Sequence, residues 1–464
     1  MFILKKKKKY LFFFILLFSH SQLLSQLYFN EISSSLDFNH SYFQGVSGAG
    51  VTFVDFDLDG LDDITIPTNG NNSILFLRNN GEKLIPLSLD IEFPNQIKQV
   101  LWIDYDNDYD KDLYVSSFNG KNKLYNNNGF LDFEDVTNSV NLPDSISNSF
   151  GSSWSDINND GYLDLLQTYR SGDSISNTVS LFLNDRGLSF IDITNLSSIS
   201  EINKLPFCAT FIDIDNDNVQ DLYIANDKSS GNSLYYNNFD STFSNISIQS
   251  STDIKMDAMS VTVGDFNNDS FFDIYSTNLE EGNKLFVNNQ DLSFTERAAD
   301  LSVSFNAEGW GSQFEDFDMD GYEDLYVSGS LVGSNVNSSA FYSNIFGKYF
   351  EKNISVGLGV DTVSSYGNAV GDINNDGYPD IVVLNMEPFN SFLFKNNYSG
   401  NNNWLKVNLI GFNSNRDAFG ARVVLHVDDK SMSRGKFSSE GYLSQNSNSL
   451  FFGLGSSSLV DSLE

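Results

Sequence analysis

Apolar and polar positions along this chain fall into short runs, and the runs recur. An apolar stretch tinged with Gly, Ala and Ser leads into an acidic loop, as in Val51–Asp55, Ala209–Asp213 and Val261–Asp265. A second apolar stretch follows the loop, such as Ile64–Pro67, Leu222–Ala225 or Leu325–Ser328. A third ends in asparagines, as in Lys284-Leu-Phe-Val-Asn-Asn. A fourth alternates Phe with polar residues, most clearly in Phe133-Glu-Asp-Val-Thr and Phe190-Ile-Asp-Ile-Thr. Such short runs, bounded by turn formers, predict strands rather than helices. The acidic loops start at Asp55, Asp104, Asp156, Asp213, Asp265, Asp316 and Asp372, spaced 49, 52, 57, 52, 51 and 56 residues apart. Four strands per period of roughly 50 residues is a propeller-blade pattern. Seven copies predict an all-β fold, a seven-bladed β-propeller over residues 27–398. The last copy shows no fourth run after Asn396, and Tyr28-Phe-Asn-Glu-Ile-Ser is expected to supply it. That strand would remove an open sheet edge.

Within each loop, oxygen-bearing side chains stand at positions 1, 3, 5 and 9. The candidate metal ligands are Asp55, Asp57, Asp59 and Asp63; Asp104, Asp106, Asp108 and Asp112; Asp156, Asn158, Asp160 and Asp164. They continue with Asp213, Asp215, Asp217 and Asp221; Asp265, Asn267, Asp269 and Asp273; Asp316, Asp318, Asp320 and Asp324; and Asp372, Asn374, Asp376 and Asp380. Calcium takes 6–8 oxygens, and a backbone carbonyl at position 7 would add to the set as it does in an EF-hand. The loops are not EF-hands, because position 10 opens a strand and no Glu stands at position 12. About seven Ca²⁺ sites are expected, with a structural role foremost. Position 6 is Gly60, Gly161, Gly321 and Gly377 in four copies, but Tyr109, Asn218 and Ser270 in the others. Where the turn needs φ > 0, Tyr and Ser are poor choices. The loops at Asp104 and Asp265 should therefore bind more weakly.

Composition narrows the setting. The 464 residues carry a net charge of −34, and 25 of the 61 acidic residues are the loop aspartates above. Such a surface repels nucleic acid and anionic membranes, so neither is expected as a partner. Residues 1–26 read as a secretory signal peptide: Lys5–Lys9, then the apolar run Leu11–Phe18, then Ser19–Gln26. That run is shorter than the ~20 residues needed to span a bilayer, and no other stretch reads as a transmembrane segment. The expected location is secreted, extracellular or at the cell surface. The single cysteine, Cys208, reads as a small core residue and leaves calcium as the fold's staple.

No nucleophile elbow, HExxH motif or phosphate-cradling glycine loop is present, so no catalytic residue and no organic cofactor is assigned. Tyr169-Arg170 and Arg297 are the weak candidates for chemistry beside calcium. In an antiparallel meander the calcium loops crowd one face. Ligand binding is then expected on the other, at connections such as Tyr169–Asn177 and Gly329–Ser338.

The repeats resemble the FG-GAP/VCBS repeats of integrin α-type propellers. The tail, 402–464, is similar to the ASPIC/UnbV domain of the cartilage acidic protein-like family. It matches through Trp404-Leu-Lys-Val-Asn-Leu, Asn413-Ser-Asn-Arg-Asp-Ala-Phe-Gly-Ala-Arg-Val, Glu440-Gly-Tyr-Leu-Ser-Gln and Leu450-Phe-Phe-Gly-Leu-Gly. A further Trp-Pro-x-Gly strand of that family would lie beyond Glu464. The resemblance implies calcium-dependent extracellular recognition or cell adhesion, with a protein or glycan ligand and no family-wide catalysis. The alternative is a calcium-dependent, lyase-type enzyme on extracellular polysaccharide. From the residues alone, the tail is a small β domain with strands at Trp404–Ile410, Ala421–Val427 and Leu450–Phe452. Its compact polar cluster, Asn415, Arg416 and Asp417, reads as turn capping with a local ion pair.

Overall fold

A computed structural model describes residues 27–42, 47–68, 74–89, 91, 93, 95–170, 176–331 and 338–464. The signal peptide read at 1–26, and parts of the connections after Tyr169 and Gly329, lie outside the described residues. Apart from two 3₁₀ turns, Ser33–Leu36 and Leu358–Val360, the regular structure of the described residues is strand. None of their helices is long and apolar enough to cross a membrane.

The strands form seven four-stranded antiparallel meanders among the described residues, two of them joined where the start of Ser147–Ser155 pairs with the end of Asp112–Gly120. Their first strands are Thr52–Val54, Gln96–Ile103, Ser147–Ser155, Pro206–Ile212, Val261–Gly264, Glu308–Glu315 and Ser365–Gly371. Each of these lies beside the next in chain order, and Ser365–Gly371 lies beside Thr52–Val54. Several start earlier than the hydrophobic pattern suggests, with a register shift between Ile97 and Gln99, Ser149 and Ser152, Gly309 and Ser312, and Ser365 and Asn368. The expected N-terminal strand is present: Phe29–Glu31 pairs with Phe392–Asn396, with Phe29 opposite Asn396.

Apolar residues on both faces of each meander are buried against the neighbouring ones, which is why strands such as Asp221–Asn226 and Asp380–Asn385 are buried at every position. Cys208 is one of these core residues, 5 % exposed, and burial pushes its thiol up to about 12.

The tail is not an independent appendage. Its strands Asn403–Asn408 and Ser449–Gly455 pair, as do Arg422–Val427 and Lys430–Gly435, around a small core of Val423, Leu425, Met432 and Phe452. The hairpin partner Lys430–Gly435 was not expected from the pattern, because Lys-Ser-Met-Ser-Arg-Gly has no apolar alternation. Between these two pairs, the segment from Phe437 to Ser447 enters the middle of the ring. Gly441 donates to the Val261 carbonyl at 2.7 Å, and Gln445 donates to that of Val51 at 3.2 Å. The Gln445 side chain brackets Trp102, accepting its N–H at 2.9 Å and donating to its carbonyl at 2.9 Å. Ser438 Oγ accepts from Trp154 N–H at 2.7 Å, and Val370 N–H donates to Asn446 at 2.9 Å. Tyr442 is buried among Trp310 and Phe207, with ring centroids 4.9 and 5.8 Å away. The small residues of the first strands make room for this insertion. A Cβ at Gly50 would lie 1.7 Å from the Leu443 carbonyl oxygen, and one at Gly367 would lie 2.8 Å from that of Tyr442.

Candidate metal centres

Each acidic loop is built by its own backbone. The position-1 carboxylate accepts two N–H groups: Asp55 takes those of Asp59 at 3.0 Å and Gly60 at 2.8 Å. The same pair recurs at Asp104, Asp156, Asp213, Asp265, Asp316 and Asp372. The position-5 carboxylate accepts the N–H of position 7 in every loop, from Asp59 with Leu61 to Asp376 with Tyr378. Position 9 is buried and ties the loop to the third strand: Asp63 accepts Asn79 N–H at 2.7 Å, and Asp112, Asp164, Asp221, Asp273, Asp324 and Asp380 do the equivalent. Position 9 is thus a structural strut as well as a candidate ligand.

Position 6 has φ > 0 in all seven loops, including Tyr109 at 82°, Asn218 at 66° and Ser270 at 69°. The two poor choices named from the sequence do occupy the strained conformation. Position 4 also has φ > 0 throughout: Leu58, Asn107, Asn159, Asn216, Asn268, Met319 and Asn375. That requirement was readable, since five of the seven copies carry Asn there, the non-glycine residue most tolerant of it.

The structure brings the acidic side chains together most tightly where position 3 is Asp. Ligand-capable atoms of Asp55, Asp57 and Asp63, of Asp104, Asp106 and Asp108, of Asp213, Asp215 and Asp221, and of Asp316, Asp318 and Asp320 lie within 4.8 Å of one another in each group. In all four groups, the position-3 Oδ1 (Asp57, Asp106, Asp215, Asp318) is buried and has no hydrogen-bond partner. Buried carboxylate oxygens are costly without a partner. Burial raises Asp63 and Asp221 to about 8 and Asp104 and Asp318 to about 7, with neighbouring carboxylates adding to the rise. A hard cation answers both conditions, since it supplies the missing partner and cancels the charge. In the other three loops Asn158, Asn267 and Asn374 donate to Asp160, Asp269 and Asp376 at 3.1, 3.0 and 2.7 Å. To ligate a cation, these amides must turn their oxygens inward.

Several features of the site were not legible in the loop motif. Arg78 pairs with Asp57 and Asp59, and Lys406 with Asp372 at 3.0 Å. The third-strand asparagine clamps two meanders: Asn237 Nδ2 donates to the Ile157 carbonyl at 3.0 Å and to that of Gln220 at 3.1 Å. The tail covers this loop face. Asp417 accepts Asp104 N–H at 2.7 Å and pairs with Lys111, so its ion pair is not local as expected but crosses to the loop at Asp104. Asn415 does cap its own turn through Phe419, at 2.9 and 3.0 Å. The Arg434 guanidinium is buried beside Glu323, Nε to Oε1 3.2 Å, and Lys430 donates to the Asp320 carbonyl at 3.0 Å. Between the tail and the loops at Asp55, Asp104 and Asp372 lies a cavity of about 540 Å³.

Residues 104–167, 213–276 and 265–327 match the FG-GAP-like repeat family, and residues 411–464 match the ASPIC and UnbV family. No curated protein matches the chain at a significant level. Among solved structures, an Agrocybe aegerita lectin described as recognising non-reducing terminal N-acetylglucosamine is 17 % identical. It covers 75 % of this chain and 94 % of its own, with a TM-score of 0.46. A Burkholderia pseudomallei lectin is 10 % identical over 72 % of this chain and 92 % of its own, with a TM-score of 0.48. A rhamnogalacturonan lyase is 11 % identical over 79 % of this chain and 75 % of its own, with a TM-score of 0.40.

Proposed function

We propose that this chain, which carries FG-GAP-like repeats and an ASPIC and UnbV domain, is a secreted calcium-binding recognition and adhesion module: a seven-bladed propeller, about 27–398, capped by its own tail. The observation that carries the reading is the set of four all-aspartate loops, each with a buried position-3 oxygen that has no partner. Asp55, Asp57 and Asp63 would hold one ion, and Asp316, Asp318 and Asp320 another. Calcium there supplies charge neutralisation and rigid loop geometry. The three Asn-containing loops complete a set of about seven sites, with lower charge.

Because the tail occupies the loop face, a protein or glycan ligand is expected on the opposite one. Arg170 belongs to that side. Its guanidinium lies 4.1 Å over the Phe207 ring and pairs with Asp227 at 2.7 Å, close to the aromatic floor formed by Trp310 and Tyr366. Melting the protein in calcium and in EGTA, with bound metal counted by mass spectrometry, tests the reading. A large fall in melting temperature with release of about seven ions supports it. No shift and no bound metal would sink it. A screen of glycans and matrix proteins in calcium then identifies the ligand.

A further inference from the structure

The cavity of about 540 Å³ at the seam between the tail and the loops is within the size range of small-ligand sites. Its charge is unlike that of the rest of the molecule. In a chain with 27 basic residues against 61 acidic ones, this one cavity gathers four basic side chains, Lys111, Lys406, Arg416 and Lys436, beside five aspartates. Three of them have partners. Lys111 pairs with Asp417, Lys406 with Asp372, and Arg416 donates to the Gly411 carbonyl at 2.5 Å. Lys436 does not pair with a carboxylate. It is 5 % exposed; its Nζ makes one long hydrogen bond, 3.5 Å, to the Leu409 carbonyl and lies 6.0 Å from the centre of the Phe419 ring. An ammonium has three donors, and a buried one without an anion is costly. Lys111 takes the carboxylate of Asp417, the one beside Lys436, so the Lys436 ammonium is left without an anion in direct contact.

We propose that this cavity is a second ligand site, separate from the opposite face, and binds an acidic saccharide of one or two rings, with Lys436 holding its carboxylate. The rest of the lining suits such a ligand. Asn408, Asn448 and Ser449 offer amides and a hydroxyl to sugar hydroxyls, and Leu409 and Ile410 offer an apolar wall to a ring face. Asp55, Asp62, Asp104 and Asp110 also line the cavity, so the proposal rests on the calcium reading to this extent: ions in the loops at Asp55 and Asp104 cancel loop carboxylates that would oppose an anion, while Asp62 is engaged by the Asp372 N–H and the Ser447 hydroxyl.

Titration calorimetry of the full mature chain in calcium, with digalacturonate as probe, tests this. Neutral galactobiose and inorganic phosphate serve as comparators. Digalacturonate should bind, with galactobiose and phosphate each at least about tenfold weaker. Lys436→Met should weaken digalacturonate about tenfold or more, as expected for a charge-assisted hydrogen bond, while Lys436→Arg retains it. Asn448→Ala, a change at a half-exposed position, should cost a few-fold and covers the case in which Lys436→Met does not fold. Equal binding of galactobiose, equal binding of phosphate, or unchanged binding in both Lys436→Met and Asn448→Ala would overturn the proposal. Bound calcium is counted in the same samples. If calcium is bound and digalacturonate is not, the saccharide inference fails alone. If no calcium is bound, the functional reading fails, and the heat of digalacturonate binding still decides the inference.

Discussion

The side-chain amide of Asn79 donates to the carbonyl of Ile373 at 2.7 Å, joining the first meander to the last across 294 positions of sequence. The same amide donates to the Asp62 carbonyl at 3.1 Å. Asn184, Asn237, Asn288 and Asn344 make the equivalent double contact between their own loop and the preceding meander. Asn396 makes only the contact to the preceding meander, donating to the Phe317 carbonyl at 2.8 Å, and Asn127 makes only the one within its own loop, to the Lys111 carbonyl at 3.0 Å.

Asn79→Ala should therefore destabilise the protein by about 2–4 kcal/mol, since it strands two buried carbonyls, whereas Asn127→Ala should cost about half as much. Urea unfolding of both variants checks this. Equal costs would show that the contact between meanders adds nothing.

The loop conformation can be tested apart from its ligands. A Cβ at Gly60, φ 93°, would meet nothing within 4 Å, so Gly60→Ala tests backbone strain alone. It should cost about 1–2 kcal/mol and weaken calcium at the first loop. Ser270 already carries that strain at φ 69°, so Ser270→Gly should stabilise the protein by about 1 kcal/mol. Calorimetric calcium titrations of the two variants should shift in opposite directions. Shifts of the same sign would disprove the account of position 6.

Calcium's effect should depend on pH with a definite sign. In the metal-free protein, burial raises Asp63 and Asp221 to about 8 and Asp104 to about 7, against 3.8 for an ordinary Asp. The folded state then holds protons that the unfolded chain has released. Stability without metal must fall as pH rises from about 4 to about 8. Calcium competes with those protons, so the rise in melting temperature on adding calcium should be small at pH 5 and large at pH 8. A calcium effect of the same size at both values would contradict these assignments.

The inserted tail segment makes the tail and the ring one folding unit. Gln445→Ala leaves both the N–H and the carbonyl of Trp102 without partners in a buried setting. A loss of about 2–4 kcal/mol is expected. Trp102 in the ring and Trp404 in the tail, replaced singly by Phe, should report one coincident unfolding transition. An earlier transition for the tail alone would show that the insertion is not cooperative.

Much of this was written in local sequence. Aspartates at positions 1, 3, 5 and 9 and a strand-opening residue at position 10 mark each loop wherever the chain goes, because a loop of nine residues is held by its own backbone N–H groups. The alternation of short apolar runs marks the strands, and the missing fourth run after Asn396 pointed to Phe29–Glu31. The Asn at position 4 and the Asn closing the third strand were equally visible. Their roles, a left-handed turn and a clamp to the preceding meander, emerge only when the neighbouring carbonyl is in place.

What tertiary structure alone decided is the placement of the tail. Glu440-Gly-Tyr-Leu-Ser-Gln has no periodicity that distinguishes a buried insertion from a surface turn. Its backbone groups are satisfied by Val51, Phe53 and Val261, residues scattered through the ring that come together only once the ring has formed. The same holds for Lys436, an unremarkable basic residue in the sequence that becomes a buried ammonium because the tail closes over the loops. Spacing along a chain fixes what neighbours in sequence can do. It carries no information about which distant backbone will supply the missing hydrogen bonds, because that depends on closing loops hundreds of residues long.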